Sequence, residues 1–553
     1  MRTRHYFQRL WNAAFLMAVS IGFVACSVND DPVVPSDEPI DKTEDLADVT
    51  ILFYGHGGGN LDGSIIENIR QFYKADESAH EKVKIVAQYK FSKGLQLLPE
   101  ALPNDMEEGF EDIEFIDGPD DGSTSSTDVE DLSGILYISS FRPEPGSTFR
   151  LEIDPQSTLL EQLKAEGYYG EPNCDITCPD SLTNFINWAA KNYPAKQYVF
   201  ILSDHGGGYM PHDDLPVSRN ATTRGVIYDD GYNNKHFSVS SLRQAIKASN
   251  IKPMVIYFDA CLMNCMEYLF EMKDVCDYML ASTYVVPGAG GLYDHLIECL
   301  AAASETPEYA LGKYVEYAVK NWDADDGTSV NYTDMTLTRM SDLDHLGQLM
   351  RTFVDRLCDT YQNGTIDQVA KINTCTEEAV KVSLSSPYYD IAKYMSSICR
   401  ALPEVYSEDF FNDLKDAFNS GLVAQYYSAY LNKHNYDVDY SVLLGKQGSY
   451  SYYWWEGNEY NEESYLFSHI RHYDSNGTYT TYEYNKDAQS LDVFNSGQWG
   501  GTLANTYEQL AFDKATGWSR WLKLNVWDPT AKSPAGMGFE LAFDEATDSE
   551  QKE

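Results

Sequence analysis

Short apolar segments alternate with amphipathic helical patterns through the first half of the chain, and this alternation limits it to few folds. Segments rich in β-branched and aromatic residues occur at 49–54, 83–89, 134–140, 198–202, 254–258 and 278–281. Apolar residues at helical spacing lie between several of them, at 65–72, 179–192 and 239–248. Strands that alternate with helices of this length predict a parallel sheet covered on both faces. We therefore expect a three-layer α/β/α sandwich with a mostly parallel sheet.

Two chemically active side chains follow two of these strands. His205 comes after strand 198–202 and Cys261 after strand 254–258, and the segment between contains one helix. We expect the strands to be neighbours, because functional groups of parallel sheets gather beyond the carboxyl ends of the strands. A thiol beside an imidazole can attack a carbonyl carbon while the imidazole transfers the proton. Gly206 and the Cys261 amide are candidate oxyanion donors, since glycine allows a close approach.

Either residue alone would more simply be structural, since a free cysteine is usually buried core. Together they follow the order His then Asp-Ala-Cys, with a separation of roughly 50 residues that is typical of caspases. The chain resembles the clostripain family of cysteine peptidases, relatives of the caspases. The resemblance is carried by YVFILSDHGGGY at 198–209 and YFDACLM at 257–263, with further likeness at 54–61, 182–188 and 510–519, so that it covers most of residues 49–525.

This resemblance implies a caspase-like fold and an endopeptidase that cleaves after Arg or Lys. His205 and Cys261 match the family's catalytic dyad, and Asp259 matches the acid that lines the pocket for the basic side chain. A partly buried carboxylate there would pair with a guanidinium or ammonium group. Thr283-Tyr284 stands where the family commonly has acids, so the breadth of the pocket's preference stays open.

Family members often mature by cleaving themselves between the histidine and the cysteine. Arg219 and Arg224 lie in that loop among polar residues and would suit the enzyme's own preference. Some members also need calcium, for which Asp229 and Asp230 offer carboxylates, although adjacent acids in a turn are more often simply solvated. We expect no obligatory cofactor, with calcium as the alternative.

The cysteine pattern does not predict a structural metal. The chain has ten cysteines, and two pairs are spaced C-x3-C. No suitably spaced histidines complete a zinc site for either pair. Disulfides cannot be assigned from the spacing.

The N-terminus is typical of an export signal. Three arginines precede an apolar run at 13–24 that ends in Phe-Val-Ala-Cys. The segment resembles a bacterial lipoprotein signal that ends at a lipidated Cys26, and an ordinary secretory signal is the alternative. Residues 27–48 are acidic and proline-containing, predict an extended tether, and resemble the surface-export signal of Bacteroidetes lipoproteins. We expect an exported protein, lipid-anchored to the outer membrane and exposed at the cell surface.

The charge excludes one class of partner. The formal net charge is −44, which argues against a nucleic-acid binder because phosphate neutralisation needs clustered Lys and Arg. Residues 100–131 contain thirteen acidic and no basic residues and predict an acidic surface insertion. We expect a monomer that acts on protein or peptide substrates and meets the membrane only through its anchor.

The chain divides into a signal (1–26), the tether (27–48), a catalytic core (49–300), a helical segment (301–430) and a mixed, β-rich C-terminal region (431–553). Within the core, His56-Gly57-Gly58-Gly59 predicts a tight strand-to-helix turn, with lining of the cleft as the alternative. The aromatic run at 449–455 belongs either to a strand-rich accessory region or to a carbohydrate-stacking platform. The alternative function is therefore a decayed peptidase that binds glycan or protein at the cell surface.

Overall fold

The computed structural model describes residues 46–95, 143–170, 172–209, 225–232, 235–288, 290–302, 306–322, 333–379, 388–429, 431, 441–443, 452–456, 459–463, 469–473, 479–483 and 508–526. Several predictions lie outside these residues. They concern lipidated Cys26, most of the tether, the acidic insertion, strand 134–140, and Arg219 and Arg224.

An eight-stranded sheet forms the centre of the molecule. Its strands are β1 (Ala47–His56), β2 (Val83–Lys90), β3 (Thr148–Glu152), β4 (Ala195–Ser203), β7 (Val255–Asp259), β8 (Tyr278–Ala281), β9 (Asp334–Arg339) and β11 (Leu422–Tyr427). Their order across the sheet is β11-β9-β8-β7-β4-β1-β2-β3. The five central strands β2, β1, β4, β7 and β8 are parallel, and only β3, β9 and β11 pair antiparallel within this sheet. The predicted mixed α/β fold with a mostly parallel sheet is confirmed.

Helices cover both faces of the sheet. Alternate side chains of β1 enter different cores, with Leu52 and Tyr54 in one and Ile51 and Phe53 in the other. The first core includes the helices Pro179–Asn192, Val239–Ala248, Met266–Met272, Leu343–Asn363, Ile366–Glu377, Ile391–Ala401 and Glu408–Gly421. The second includes the helices Asp62–Gln71, Glu77–His80, Leu159–Glu166, Tyr293–Ala301 and Pro307–Trp322. The strands therefore lie between two helical layers, and each fully buried large apolar side chain contributes about 1.5–3 kcal/mol.

Segments beyond residue 300 also belong to this core. The described residues of the segment 301–430 are mostly in helices, and this segment also supplies β9 and β11 to the sheet. The helices Ala511–Thr516 and Trp518–Val526 return to the first core, where Trp518 and Trp521 are fully buried. The sheet and its helical layers are thus completed by distant parts of the chain.

Smaller sheets account for the remaining strands. β5 (Val226–Asp229) pairs with β6 (Lys235–Phe237), and β10 (Tyr388–Asp390) pairs with β12 (Ser441–Leu443). The Tyr-rich region contains an antiparallel sheet of β13 (Tyr452–Glu456), β14 (Glu459–Glu463), β15 (His469–Tyr473) and β16 (Tyr479–Glu483). Among the described helices, none combines the length and the apolar character that crossing a bilayer requires.

The strand order changes direction at β1. The chain moves from β1 to β2 on one side, whereas β4, β7 and β8 follow on the other. Gly55 of β1 pairs with Ser203 of β4, and Ser203 pairs with Asp259 of β7, so the carboxyl ends of these strands are level. Open α/β sheets bind ligands in the crevice at such a switch point.

Candidate active site

His205 and Cys261 lie at the same edge of the sheet, each two residues beyond the paired residues Ser203 and Asp259. The prediction that their strands are neighbours is confirmed. The backbones after the two strands touch, because a Cβ atom on Gly206 would lie 2.7 Å from the Cys261 nitrogen and 2.3 Å from its carbonyl oxygen. No larger residue would fit at Gly206 without moving one of these segments.

Cys261 is a partly exposed residue, and its thiol lies against the loop that follows β8. The Val286 N–H donates to Sγ at 3.3 Å. Burial raises the pKa of the thiol, and the Val286 hydrogen bond only partly opposes this. A raised pKa favours the protonated thiol, which would need a base to become a thiolate.

The residue after the thiol has a strained backbone. Leu262 has φ of 64°, a left-handed conformation that costs a non-glycine residue about 1–3 kcal/mol. Backbone hydrogen bonds hold this turn in place, from Leu262 N to Tyr284 O at 2.8 Å and from Asn264 N to Ser282 O at 2.9 Å. The surrounding segments thus determine the direction in which the thiol projects.

Asp334 of β9 in turn holds the 282–284 segment. Its Oδ1 accepts from the Ser282 hydroxyl at 2.7 Å and from the Thr283 and Tyr284 amides at 2.9 Å each. Burial raises the pKa of this carboxyl to about 6. An acid is therefore present beside Thr283-Tyr284, but it comes from a distant strand and binds the backbone.

The His205 ring contacts an asparagine that the sequence analysis did not single out. Its Nε2 lies 2.7 Å from Oδ1 of Asn60, 145 residues earlier in the chain. No hydrogen bond joins the ring to the Cys261 thiol, although both residues belong to the described part of the chain. Catalytic hydrogen bonds are often long before substrate binds, so this geometry does not argue against a dyad.

Asp259 is buried beneath the site, with 4% of its surface exposed. Its Oδ2 accepts from the Tyr293 hydroxyl at 2.5 Å and from Gly291 N at 2.9 Å. Its Oδ1 has no hydrogen-bond partner among the described residues. Burial raises the pKa of this carboxyl, although the Tyr293 hydroxyl, Gly291 N and the nearby Ser203 hydroxyl each act to lower it. An unsatisfied buried acceptor costs about 1–3 kcal/mol, so the site favours a ligand that brings a hydrogen-bond donor.

The wall around Asp259 comes from residues that sequence patterns did not mark. Gly290 has φ of +59°, and a Cβ there would lie 1.9 Å from Asn68 Nδ2 and 3.0 Å from Asp259 Oδ2. Trp322 Nε1 holds the Gly290 carbonyl at 2.9 Å. Asn68 is buried on a helix that also buries Asp62, and a polar residue among the apolar positions of this helix is a sequence signal that could have indicated a polar role.

The proposed calcium ligands do not fit that ion. Both oxygens of Asp229 bind the Lys90 ammonium, at 2.7 and 2.8 Å. The oxygens of Asp230 each accept a backbone N–H at 2.7 Å. His56 lies near both acids and completes a group of three ligand atoms within 4.8 Å. Calcium takes six to eight oxygen ligands, whereas these carboxylates are already satisfied and one is paired with a cation.

All nine cysteines in the described residues are free thiols. Cys265, Cys276 and Cys299 are buried in the two cores. Cys26, Arg219 and Arg224 lie outside the described residues, so their predicted roles stay predictions.

Comparisons with known proteins show the family of this chain. The model of the clostripain family, a peptidase family, matches residues 160–520. Clostripain of Hathewaya histolytica is 25% identical over 334 residues, which are 58% of this chain and 52% of that protein. This chain therefore spans about half the length of that curated relative.

Two solved structures are also similar. A secreted C11 cysteine protease of Bacteroides thetaiotaomicron, "iotapain", is 14% identical with a TM-score of 0.48, over 85% of this chain and 99% of that one. An inactive zymogen C11 protease of Parabacteroides distasonis is 13% identical with a TM-score of 0.44, over 85% and 98% of the chains. The family match itself includes both strand-end motifs and most of the described core, and on that match the chain belongs to the clostripain family.

Proposed function

We propose that this protein is a cysteine endopeptidase that cleaves after Arg or Lys, with Cys261 as nucleophile and His205 as its base. The observation that carries the proposal is that β4 and β7 are neighbours and end at paired residues. Both His205 and Cys261 therefore lie at one edge of the sheet, with Gly206 against the Cys261 backbone. Membership of a peptidase family supports the same chemistry.

In the proposed reaction the Cys261 thiol gives its proton to His205 while Sγ attacks the scissile carbonyl carbon. The oxyanion that forms is held by the amides of Gly206 and Cys261. His205 then protonates the leaving amine, the C–N bond breaks, and a thioester remains on Sγ. Water activated by the neutral imidazole hydrolyses the thioester and frees the thiol.

Asp259 is the proposed determinant of specificity. Its unpartnered Oδ1 offers an acceptor for a guanidinium or ammonium group. A bound cation would favour the ionised carboxylate and offset the burial that raises its pKa. The same proposal extends to self-cleavage at Arg219 or Arg224, since both carry the preferred side chain.

The remaining expectations from the sequence complete the proposal. Lipidation at Cys26 would anchor an exported, monomeric enzyme to the outer membrane, where its substrates are proteins or peptides with accessible basic residues. In the proposed organisation the catalytic core at 49–300 is followed by helical (301–430) and β-rich (431–553) regions, which also contribute β9, β11 and the helices at 511–526 to that core. Calcium is not part of the proposed mechanism, because Asp229 and Asp230 already have partners.

Hydrolysis of reporter peptides tests the proposal. Peptides that end in Arg, Lys or Asp before the reporter are offered to the wild type, to Cys261→Ala and to Cys375→Ala, a control for another partly exposed thiol. We expect turnover of the Arg or Lys peptides that only Cys261→Ala abolishes. Intact mass in the same samples reports a nick at Arg219 or Arg224.

The outcomes separate the parts of the proposal. Turnover without a nick would keep the peptidase and remove self-cleavage. Preference for the Asp peptide would overturn the role of Asp259. Absence of turnover on all three peptides, with and without calcium and reductant, would favour the alternative of a surface binding protein.

A further inference from the structure

The turn after β1 is the neighbour of the His205 ring in this site. The amide oxygen of Asn60 carries no proton, so the 2.7 Å contact requires His205 Nε2 to donate to it. In a neutral imidazole the other nitrogen, Nδ1, is then the unprotonated one. The contact therefore selects one tautomer of His205.

The carboxylate next to His205 in the chain does not bind the His205 ring. Asp204 precedes His205, but its Oδ1 accepts from the His205 backbone amide at 2.5 Å and its Oδ2 accepts from Tyr228 N at 2.6 Å. Both carboxylate oxygens thus hold backbone in place. Among the described residues, Asn60 is the hydrogen-bond partner of the His205 ring.

Three hydrogen-bonded links hold Asn60 in position. Asn60 N donates to the Gly57 carbonyl at 3.0 Å, which closes the turn. Gly58 N donates to His56 Nδ1 at 2.7 Å, and Gly59 N donates to the Ser92 hydroxyl at 2.9 Å. Each residue between β1 and the Asn60 side chain is therefore fixed by a partner.

The turn also packs directly on the imidazole. Gly58 has φ of +55°, and a Cβ there would lie 2.6 Å from His205 Cδ2 and 2.3 Å from Asp204 Oδ1. This close approach requires glycine. The His-Gly-Gly-Gly sequence is thus both a tight turn and a wall of the site.

His56 anchors the turn from below. It is fully buried, and its Nε2 faces Asp229 and Asp230 at 3.6 and 3.5 Å. Because Nδ1 accepts from Gly58, the proton of the neutral ring lies on Nε2, where both carboxylates favour it. The same two acids bind Lys90 and the 93–94 backbone, so the anchor is itself held firmly.

We propose that Asn60 is the positioning residue of His205: it holds the ring in the tautomer whose Nδ1 receives the Cys261 proton. The inference rests on the proposed dyad. When Nδ1 takes the thiol proton, Nε2–H stays bonded to Asn60, so the imidazolium forms without turning. The proton on Nδ1 is then the one that passes to the leaving amine as the C–N bond breaks. A neutral amide orients the ring without adding a negative charge beside it.

The test compares Asn60→Ala and Asn60→Asp with the wild type. The Asn60 side chain is exposed, so its removal leaves no buried cavity. Asn192→Ala is the matched control, since Asn192 is also exposed and makes one hydrogen bond, to Trp188 O at 2.8 Å. We expect Asn60→Ala to lower kcat about 10- to 100-fold with little change in KM, as a part of the 10²–10⁴-fold that a general base supplies.

The aspartate variant provides a readout that a structural role would not move. A carboxylate next to the ring favours the imidazolium by roughly 1–3 pKa units. The acid limb of the kcat profile should therefore shift to higher pH, with activity restored above it. Loss of activity in Asn60→Ala together with an unshifted profile in Asn60→Asp would contradict the inference.

Alkylation of Cys261 by iodoacetamide, measured by mass spectrometry between pH 5 and pH 9, tests the inference without any peptide substrate. The rate of alkylation should differ from the wild-type rate in His205→Ala and in Asn60→Ala, and it should equal the wild-type rate in Asn192→Ala. That result without peptide cleavage would keep the inference and remove the proposed function. Equal cleavage and equal alkylation in Asn60→Ala and wild type would keep the function and overturn the inference.

Discussion

The substitution Asp259→Asn separates the proposed specificity from the fold. Asparagine has the same shape, and its amide oxygen can take the place of the aspartate Oδ2 and accept from the Tyr293 hydroxyl and Gly291 N. The substitution puts an uncharged amide nitrogen in the place of the unpartnered Oδ1, so it removes both the charge and an acceptor. The pocket should therefore keep its structure and lose its attraction for a basic side chain.

The size of the effect follows from burial. Truncation of one member of a desolvated charge pair costs about 2–5 kcal/mol. At 1.4 kcal/mol per tenfold, kcat/KM for Arg and Lys peptides should fall roughly 30- to 4,000-fold. A glutamine peptide, which brings no charge, should lose much less.

The free energy of unfolding of Asp259→Asn should not fall with its activity. The pKa of Asp259 is raised in the fold by burial, so the carboxyl stabilises the fold fully below its unfolded pKa of about 3.9. That stability is lost as the pH rises through the raised folded pKa. An asparagine side chain cannot ionise, and the variant should be at least as stable as the wild type at pH 7.

Kinetics on Arg, Lys and Gln peptides, beside thermal unfolding at pH 7, measure both effects. Equal losses on all three peptides would indicate general damage to the site, and unchanged Arg and Lys turnover would refute the role of Asp259. A clear fall in Tm would show that the carboxylate contributes to the fold in a way that the burial argument misses.

Three further results are expected. Gly58→Ala should reduce turnover at least about tenfold, because its methyl group would meet the His205 ring. Residue 59 has φ of +96° and open space around it, so Gly59→Ala should lower the free energy of unfolding by the backbone strain of about 1–3 kcal/mol without a clash at the ring. Equal activities of the two variants would contradict the packing argument. Trp518→Ala should lower the free energy of unfolding by about 3–5 kcal/mol in denaturant titrations, since its side chain is fully buried; a loss under about 1 kcal/mol would mean that the C-terminal helices do not complete the core. In the substrate-free protein, the Cys261 thiol should react with iodoacetamide more slowly near pH 7 than an unperturbed cysteine and speed up only at alkaline pH, because burial raises its pKa; fast modification at pH 6 would show a thiolate in the resting site.

Much of the core was predictable because its signals are local. The helix Val239–Ala248 and strand β8 have the predicted bounds, since apolar spacing and flanking turn residues define them. The level placement of His205 and Cys261 followed from one topological rule about parallel strands. The strands β9 and β11 were not predicted, because short edge strands within a largely helical segment leave little periodic signal.

Charge partners were harder to predict. Asp229 and Asp230 have the residue types of a calcium site, yet Lys90 of β2 and the backbone of residues 93–94 satisfy them from 136 to 139 positions earlier in the chain. Asp334 reaches the segment after β8 from a strand that the sequence did not indicate. A sequence shows which side chains carry charge, but burial and the approach of distant segments determine their partners.

By itself the sequence determined the α/β architecture, the two strand-end motifs and the family to which they point, because each depends on residues close together in the chain. Only the tertiary structure decided that Asn60 meets His205, that Tyr293 and Gly291 hold Asp259, and that one oxygen of that acid stays unpaired among the described residues. The physical reason is that hydrogen bonds across a site join groups brought together by sheet order and packing. A contact between residues 145 positions apart produces no periodic pattern in the sequence around either residue.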